Sequence, residues 1–167
     1  MKIELKSIKF NERMSEETNC FTANLYVNDK KLCYVENTGK GGCSDYVLYV
    51  SKNAPLLKEV EAYCKTLPDI KYNTITIKQN LETVIDELFE NYLIQKESKK
   101  LAKYMEKGIV YGTLSNFQVV TWKGHTIAEM LTSPHGVLPI KNKLKELIRD
   151  GKNILNTNIP QQIFDNL

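Results

Sequence analysis

The stretch Cys20-Phe21-Thr22-Ala23-Asn24-Leu25-Tyr26-Val27-Asn28-Asp29-Lys30-Lys31-Leu32-Cys33-Tyr34-Val35 decides how the amino-terminal third folds. Phe21, Ala23, Leu25 and Val27 recur at every second position, so an extended backbone puts all four on one face. Asn28-Asp29-Lys30-Lys31 then separates this run from a second β-rich one, Leu32 to Val35. Two such runs around a short Asn-Asp turn predict an antiparallel hairpin.

Toward the amino terminus, Ile3, Leu5, Ile8 and Phe10 alternate with Lys2, Glu4, Lys6 and Lys9, and the alternation slips by one at Ser7. This predicts a strand with a bulge. Toward the carboxy terminus, Glu36 to Asp45 holds Gly39, Gly41 and Gly42 and predicts a loop. Tyr46 to Val50 is a strand by its β-branched and aromatic content. Together these segments predict a small antiparallel sheet.

Helix is predicted from Asn53 to Pro55 onward, with Asn53 as the cap and Leu67-Pro68 as the stop. Tyr72 to Ile77 suits a short strand. The next helix carries a stripe of Leu81, Val84, Ile85, Leu88, Phe89, Tyr92 and Leu93. That stripe changes face: Ile85, Phe89 and Tyr92 share a side with Lys96, Lys100, Lys103 and Lys107, while Ile94, Leu101 and Met105 project oppositely. Either the helix kinks near Gln95 to Ser98, or its second half packs on a different partner, a second copy of the chain included.

After Gly108, Ile109 to Thr113 and Phe117 to Trp122 predict a second hairpin, and Thr126 to Leu131 a short helix. Ser133-Pro134-His135-Gly136 reads as a break. Pro139 opens a last amphipathic helix with Ile140, Leu144, Leu147 and Ile148 inward and Gly151 at its exit. The expected architecture is α+β, with residues 1–152 as a single domain around one core and residues 153–167 as a carboxy-terminal tail.

The chain has 167 residues, 42% hydrophobic and 26% charged, which excludes fibrous and collagenous classes. No apolar run approaches the roughly 18–20 residues of a membrane helix, and Met1 to Lys6 does not build a secretory signal, so a cytoplasmic location without membrane attachment is expected. The net charge of +3 is small, but residues 96–152 carry 11 basic and 5 acidic side chains. Cys20, Cys33, Cys43 and Cys64 stand 13, 10 and 21 residues apart, which leaves no paired-cysteine metal or redox motif and favours reduced, structural thiols.

The loop Gly39-Lys40-Gly41-Gly42-Cys43-Ser44-Asp45-Tyr46 is the first candidate site. Glycines let successive N–H groups converge on an anion, and Lys40 adds charge. The spacing is not that of a Walker loop, and a plain turn needing left-handed backbone is the competing reading. The lysines Lys96, Lys100, Lys103 and Lys107, with Lys141, Lys145, Arg149 and Lys152, form two basic stripes that attract phosphates; a solvated lysine face explains them equally. His125 and His135 lie in no catalytic or metal-binding signature, and an enzyme is the last of the readings. Tyr34, Tyr46 and Tyr49 flank the glycine loop, where one could stack on a base.

Ser15 to Ala23 with Leu25-Tyr26-Val27, followed by the Gly39 to Tyr46 loop, resembles a family of small accessory proteins encoded by bacteriophages and prophage-like elements. The resemblance covers about the first 50 residues well and Trp122 to Ile159 more loosely, and it brings no established mechanism. It implies a phage accessory protein acting in the host-cell cytoplasm on a host protein, a nucleic acid or a nucleotide second messenger of bacterial immunity. The leading expectation is a non-catalytic binding protein without cofactor or metal. It would sequester a phosphorylated small molecule through Gly39, Lys40, Gly41, Gly42, Ser44, Asp45, Tyr46, Lys100 and Lys103, and so counter host defence. A host-protein or homo-oligomeric interaction module is the alternative, and nucleic-acid binding comes third.

Overall fold

Strands β1 (Ile3–Phe10), β2 (Phe21–Val27), β3 (Lys30–Asn37) and β4 (Asp45–Leu48) form one antiparallel sheet in that spatial order. The computed structural model describes residues 1–72, 74–165 and 167, Tyr72 by its backbone alone. Asn28 and Asp29 turn between β2 and β3 with φ of +47° and +64°, the doubly left-handed turn that matches strand twist. The slip at Ser7 is a bulge: Ser7 has φ +54° and the β1–β2 register shifts between Lys6 and Lys9. A second shift, between Leu25↔Cys33 and Tyr26↔Lys31, leaves Leu32 as the extra residue. Through it Leu32 and Cys33, neighbours in sequence, are both fully buried, which strict alternation forbids.

Helix α1 (Ala54–Cys64) starts from a 3-10 turn at Ser51–Asn53 with Pro55 in its first turn, and the Asn53 side chain makes no capping hydrogen bond. The expected cap is therefore replaced by that turn. A short hairpin, β5 (Ile70–Tyr72) and β6 (Ile75–Ile77), follows; the expected single strand over 72–77 includes Asn73, which lies outside the described residues. Helix α2 (Leu81–Lys107) is opened by a reciprocal cap, in which Thr83 N–H donates to Asn80 Oδ1 at 2.9 Å and Asn80 N–H to Thr83 Oγ1 at 2.8 Å.

The chain divides into two compact units, Met1–Leu93 and Ile94–Leu167. In the first, the inner face of the sheet meets Val60 and Cys64 of α1 and Leu81, Ile85 and Phe89 of α2. Phe21 and Phe89 stack with ring centroids 3.8 Å apart. Burial of aliphatic and aromatic side chains of this size contributes about 1.5–3 kcal/mol each.

The second unit has β7 (Gly108–Gly112), β8 (Phe117–Thr121), α3 (Ile127–Met130), α4 (Pro134–Arg149) and α5 (Gln161–Asp165) around Ile109, Ile127, Ile140, Leu144 and Ile159. The buried residues thus form two clusters, where one core over 1–152 is expected. The segment expected as a tail is built into the second: Leu155 N–H donates to Val110 O at 2.9 Å, Gly112 N–H to Asn153 O at 2.8 Å, and Val110 N–H to Asn156 Oδ1 at 2.6 Å. α2 is assigned as helix without interruption through residues 95–98, where the stripe changes face. Its last turns belong to the second unit, where Met105 is buried and its carbonyl accepts from Asn158 Nδ2 at 2.8 Å.

α4 begins five residues before the expected Pro139. Ser133 caps it, accepting from Gly136 N–H at 3.2 Å, and Pro134 fills the first turn. Ile140, Leu144 and Leu147 are buried as expected, but Ile148 is exposed. The helix ends at Gly151, φ +67°, with Lys152 N–H on Leu147 O and Gly151 N–H on Ile148 O, a Schellman closure. The fold is α+β, and among the described residues no helix is long and apolar enough to cross a membrane.

Candidate functional site

The glycine loop is held from two sides. The backbone N–H groups of Glu16 and Glu17, each at 2.9 Å, and of Thr18, at 3.3 Å, converge on the carbonyl oxygen of Gly39. A nest of donors is present, but it lies in residues 16–18 and its acceptor is the loop itself. Gly39 has φ +82°, and a Cβ there would sit 2.3 Å from Met14 O, so only glycine fits. Asn37, buried at the end of β3, accepts from Gly39 N–H at 2.9 Å and from the Thr18 hydroxyl at 2.8 Å. Gly41 N–H donates to Thr18 Oγ1 at 3.3 Å.

Ser44 is 1% exposed, and its hydroxyl donates to Asp86 Oδ1 of α2 at 2.7 Å. Burial pushes the Asp86 carboxyl up; the Ser44 hydrogen bond opposes this, and the charges of Glu82 and Glu90 add to it. Tyr46 donates to Glu61 at 2.8 Å, and burial, then that bond, raises its phenol well above the ordinary range. Asp45 is exposed on β4. Hydrogen bonding to Glu82 raises the Cys43 thiol, the opposite of what an activated nucleophile needs.

Two clefts flank this network. One, of about 290 Å³, is lined by Gly42, Thr18 and Asn37 together with Glu17, Asp86 and Glu90. Three carboxylates and, among the described residues, no cation make it unsuited to an anion. The other, of about 540 Å³, is lined by Lys40 and Thr38 from the loop, Lys9 of β1, Asn11, Met14 and Glu36. Among the described residues neither Lys9 nor Lys40 forms an ion pair. This cleft offers two ammonium groups, amide and hydroxyl hydrogen-bonding groups and an apolar wall, the composition that fits a small molecule with an anionic end.

Of the sequence-expected residues, Gly39, Lys40, Gly41, Gly42, Ser44, Asp45 and Tyr46 lie in the first unit, whereas Lys100 and Lys103 lie in the second. Lys100 pairs with Glu97 at 3.6 Å and Lys103 is exposed. His125 and His135 are exposed residues of the second unit. The N–H groups of Gly39 and Gly41 already have partners inside the protein. Lys9 and Asn11 went unmarked by sequence reasoning, and the slip at Ser7 is the signal that reaches them: counted through it, Lys9 lands opposite Thr22, beside the Phe21↔Asn37 pair from which the loop departs. No family model, no curated protein and no solved structure matches the chain.

Proposed function

We propose that the protein is a non-catalytic binder of a phosphorylated small molecule, held in the cleft between Lys9 and Lys40. The observation that carries this reading is the pair of lysines, without ion-pair partners among the described residues, on a cleft of about 540 Å³ with an apolar wall. The phosphate would sit between the two ammonium groups, with Thr38 and Asn11 donating to its oxygens and Met14 packing on the apolar part of the ligand. Glu36 on the same wall favours a ligand that also presents a hydrogen-bond donor, as a nucleobase or ribose does. A nucleotide, including a cyclic second messenger, meets all three requirements. The resemblance to phage accessory proteins supports sequestration in the host cytoplasm, countering host defence, as the biological setting.

Isothermal calorimetry against a panel of linear and cyclic nucleotides tests this. Binding without turnover is expected, weakening about tenfold with each of Lys9→Ala and Lys40→Ala and falling with added salt. No heat from any nucleotide, or affinity indifferent to both substitutions, overturns the reading.

A second reading rests on a separate observation. The unit Ile94–Leu167 carries 11 basic and 6 acidic residues, against 12 and 14 in Met1–Leu93. That excess favours a polyanion as partner of the second unit. Charge reversal at Lys100 and Lys103 should then weaken nucleic-acid binding and flatten its salt dependence.

A further inference from the structure

The four-stranded sheet has two edges of opposite character. β1 carries Lys2, Lys6 and Lys9 along or beside it and is broken by the bulge at Ser7. Those are the devices that keep a sheet edge from pairing with another chain. β4 has none of them: Asp45-Tyr46-Val47-Leu48, continuing as Tyr49-Val50, contains no lysine, no proline and no register shift. Val47 is 65% exposed, and Tyr49 and Val50 are exposed as well.

The ladder fixes which backbone groups face outward. Tyr49 N–H donates to Leu32 O at 3.1 Å, and the register runs Cys33↔Leu48, Tyr34↔Val47, Val35↔Tyr46 and Glu36↔Asp45. Because hydrogen-bonded pairs alternate along an antiparallel ladder, Val47 and Asp45 also bond toward β3. The N–H and C=O groups of Tyr46 and Leu48 therefore point away from the sheet, and among the described residues no other backbone hydrogen bond reaches them.

We infer that β4 is a dimerisation edge on which a second copy of this chain pairs antiparallel about a two-fold axis at Val47. In that register Tyr46 lies opposite Leu48 of the second copy and Leu48 opposite its Tyr46, so all eight outward groups find partners in four hydrogen bonds. The half-buried side chains of Tyr46 and Leu48 then meet on the core side, and the Val47 residues face each other on the open side, so the in-out alternation is kept across the junction. Asp45 falls opposite Tyr49 of the second copy, whose ring carries the Lys31 ammonium 3.9 Å from its centroid. The one charge of the strand is thereby placed next to an opposite charge, and the pairing is self-complementary in shape, hydrogen bonding and sign. No other segment is needed, and the cleft between Lys9 and Lys40 takes no part.

Sedimentation velocity of the full chain over a wide concentration series tests the pairing. A dimer is expected for the wild type. It should be lost in Val47→Lys, which sets two ammonium groups against each other at the axis while leaving the circular dichroism spectrum unchanged, since the position is exposed. Register is read separately by cross-linking in a Cys43→Ser background: Val47→Cys should give a disulfide-linked dimer under mild oxidation, and Tyr49→Cys, opposite Asp45, should not. A wild type that is monomeric throughout, a dimer indifferent to Val47→Lys, or equal cross-linking at both positions overturns the inference. A monomer that binds a foreign extended peptide at β4 also overturns it and assigns the edge to another protein.

Discussion

The two units put their polar side chains to different uses. In Met1–Leu93 the side chains of Asn37, Thr18, Ser44 and Asp86 bond to one another and to a glycine loop, and that network positions a cleft. In Ile94–Leu167 the amides of Asn156 and Asn158 bond to the carbonyls of Met105 and Gly108, tying the end of the chain to the end of a helix and to a strand edge. Both arrangements pair backbone groups with side chains, Gly39 N–H with Asn37 in the first and the carbonyls of Gly108 and Met105 with Asn156 and Asn158 in the second. The first leaves a site beside it and the second a strap. A polar cluster is thus evidence of a site only when its surroundings stay open.

The largest effect that separates the units comes from their cores. Phe89→Ala removes the ring stacked on Phe21 and should cost about 3–5 kcal/mol. Hydrogen exchange should accelerate at Leu25 and Val35 while Ile109 and Leu144 keep their protection. Leu144→Ala, at about 2–5 kcal/mol, should give the reverse pattern. Equal acceleration in both units would merge the two clusters into one cooperative core.

A smaller effect falls on the network alone. Gly39→Ala meets both a left-handed backbone and the Met14 carbonyl, and should cost on the order of 1–3 kcal/mol. Denaturant unfolding should show the loss, whereas Gly124→Ala, in open space at φ +81°, should lose only the backbone part.

The smallest effect is a pH dependence. Although Asp86 is exposed as a residue, its carboxyl lies against Ser44, and its proton is held to higher pH in the folded state than in the unfolded chain. The stability this provides is complete below the unfolded Asp value of about 3.9 and is lost as pH rises through the raised folded value. Asp86→Asn keeps an acceptor for Ser44 and should raise Tm at neutral pH, with the gain fading toward pH ~4. Thermal melts of both proteins across that range check the sign.

The sheet was legible because alternation is a local signal, down to the bulge at Ser7, which shows as a slipped period. The bulge at Leu32 has no such mark: a buried Leu-Cys pair reads equally as a short continuous apolar run. The start of α4 was misplaced because Ser133-Pro134 serves both as a breaker and as a cap followed by a first-turn proline. The N–H groups of Gly136 and Val137, which bond to the hydroxyl and carbonyl oxygens of Ser133, show which applies. At the candidate site the loop itself was visible through its glycines. Its partners were not, because Ser44 and Asp86 are 42 residues apart and Gly41 and Thr18 are 23 apart, and no periodicity connects such pairs.

The carbonyl of Gly39 has a kinetic consequence as well. The two-residue turn at Asn28-Asp29 lets β2 and β3 zip from neighbouring residues on a microsecond scale. The donors of Glu16 to Thr18 meet Gly39 beyond the far end of that ladder, past Phe21↔Asn37. These contacts are expected to form after the hairpin, so Gly39→Ala should speed unfolding in stopped-flow denaturant jumps and leave the refolding rate, which the hairpin sets, nearly unchanged.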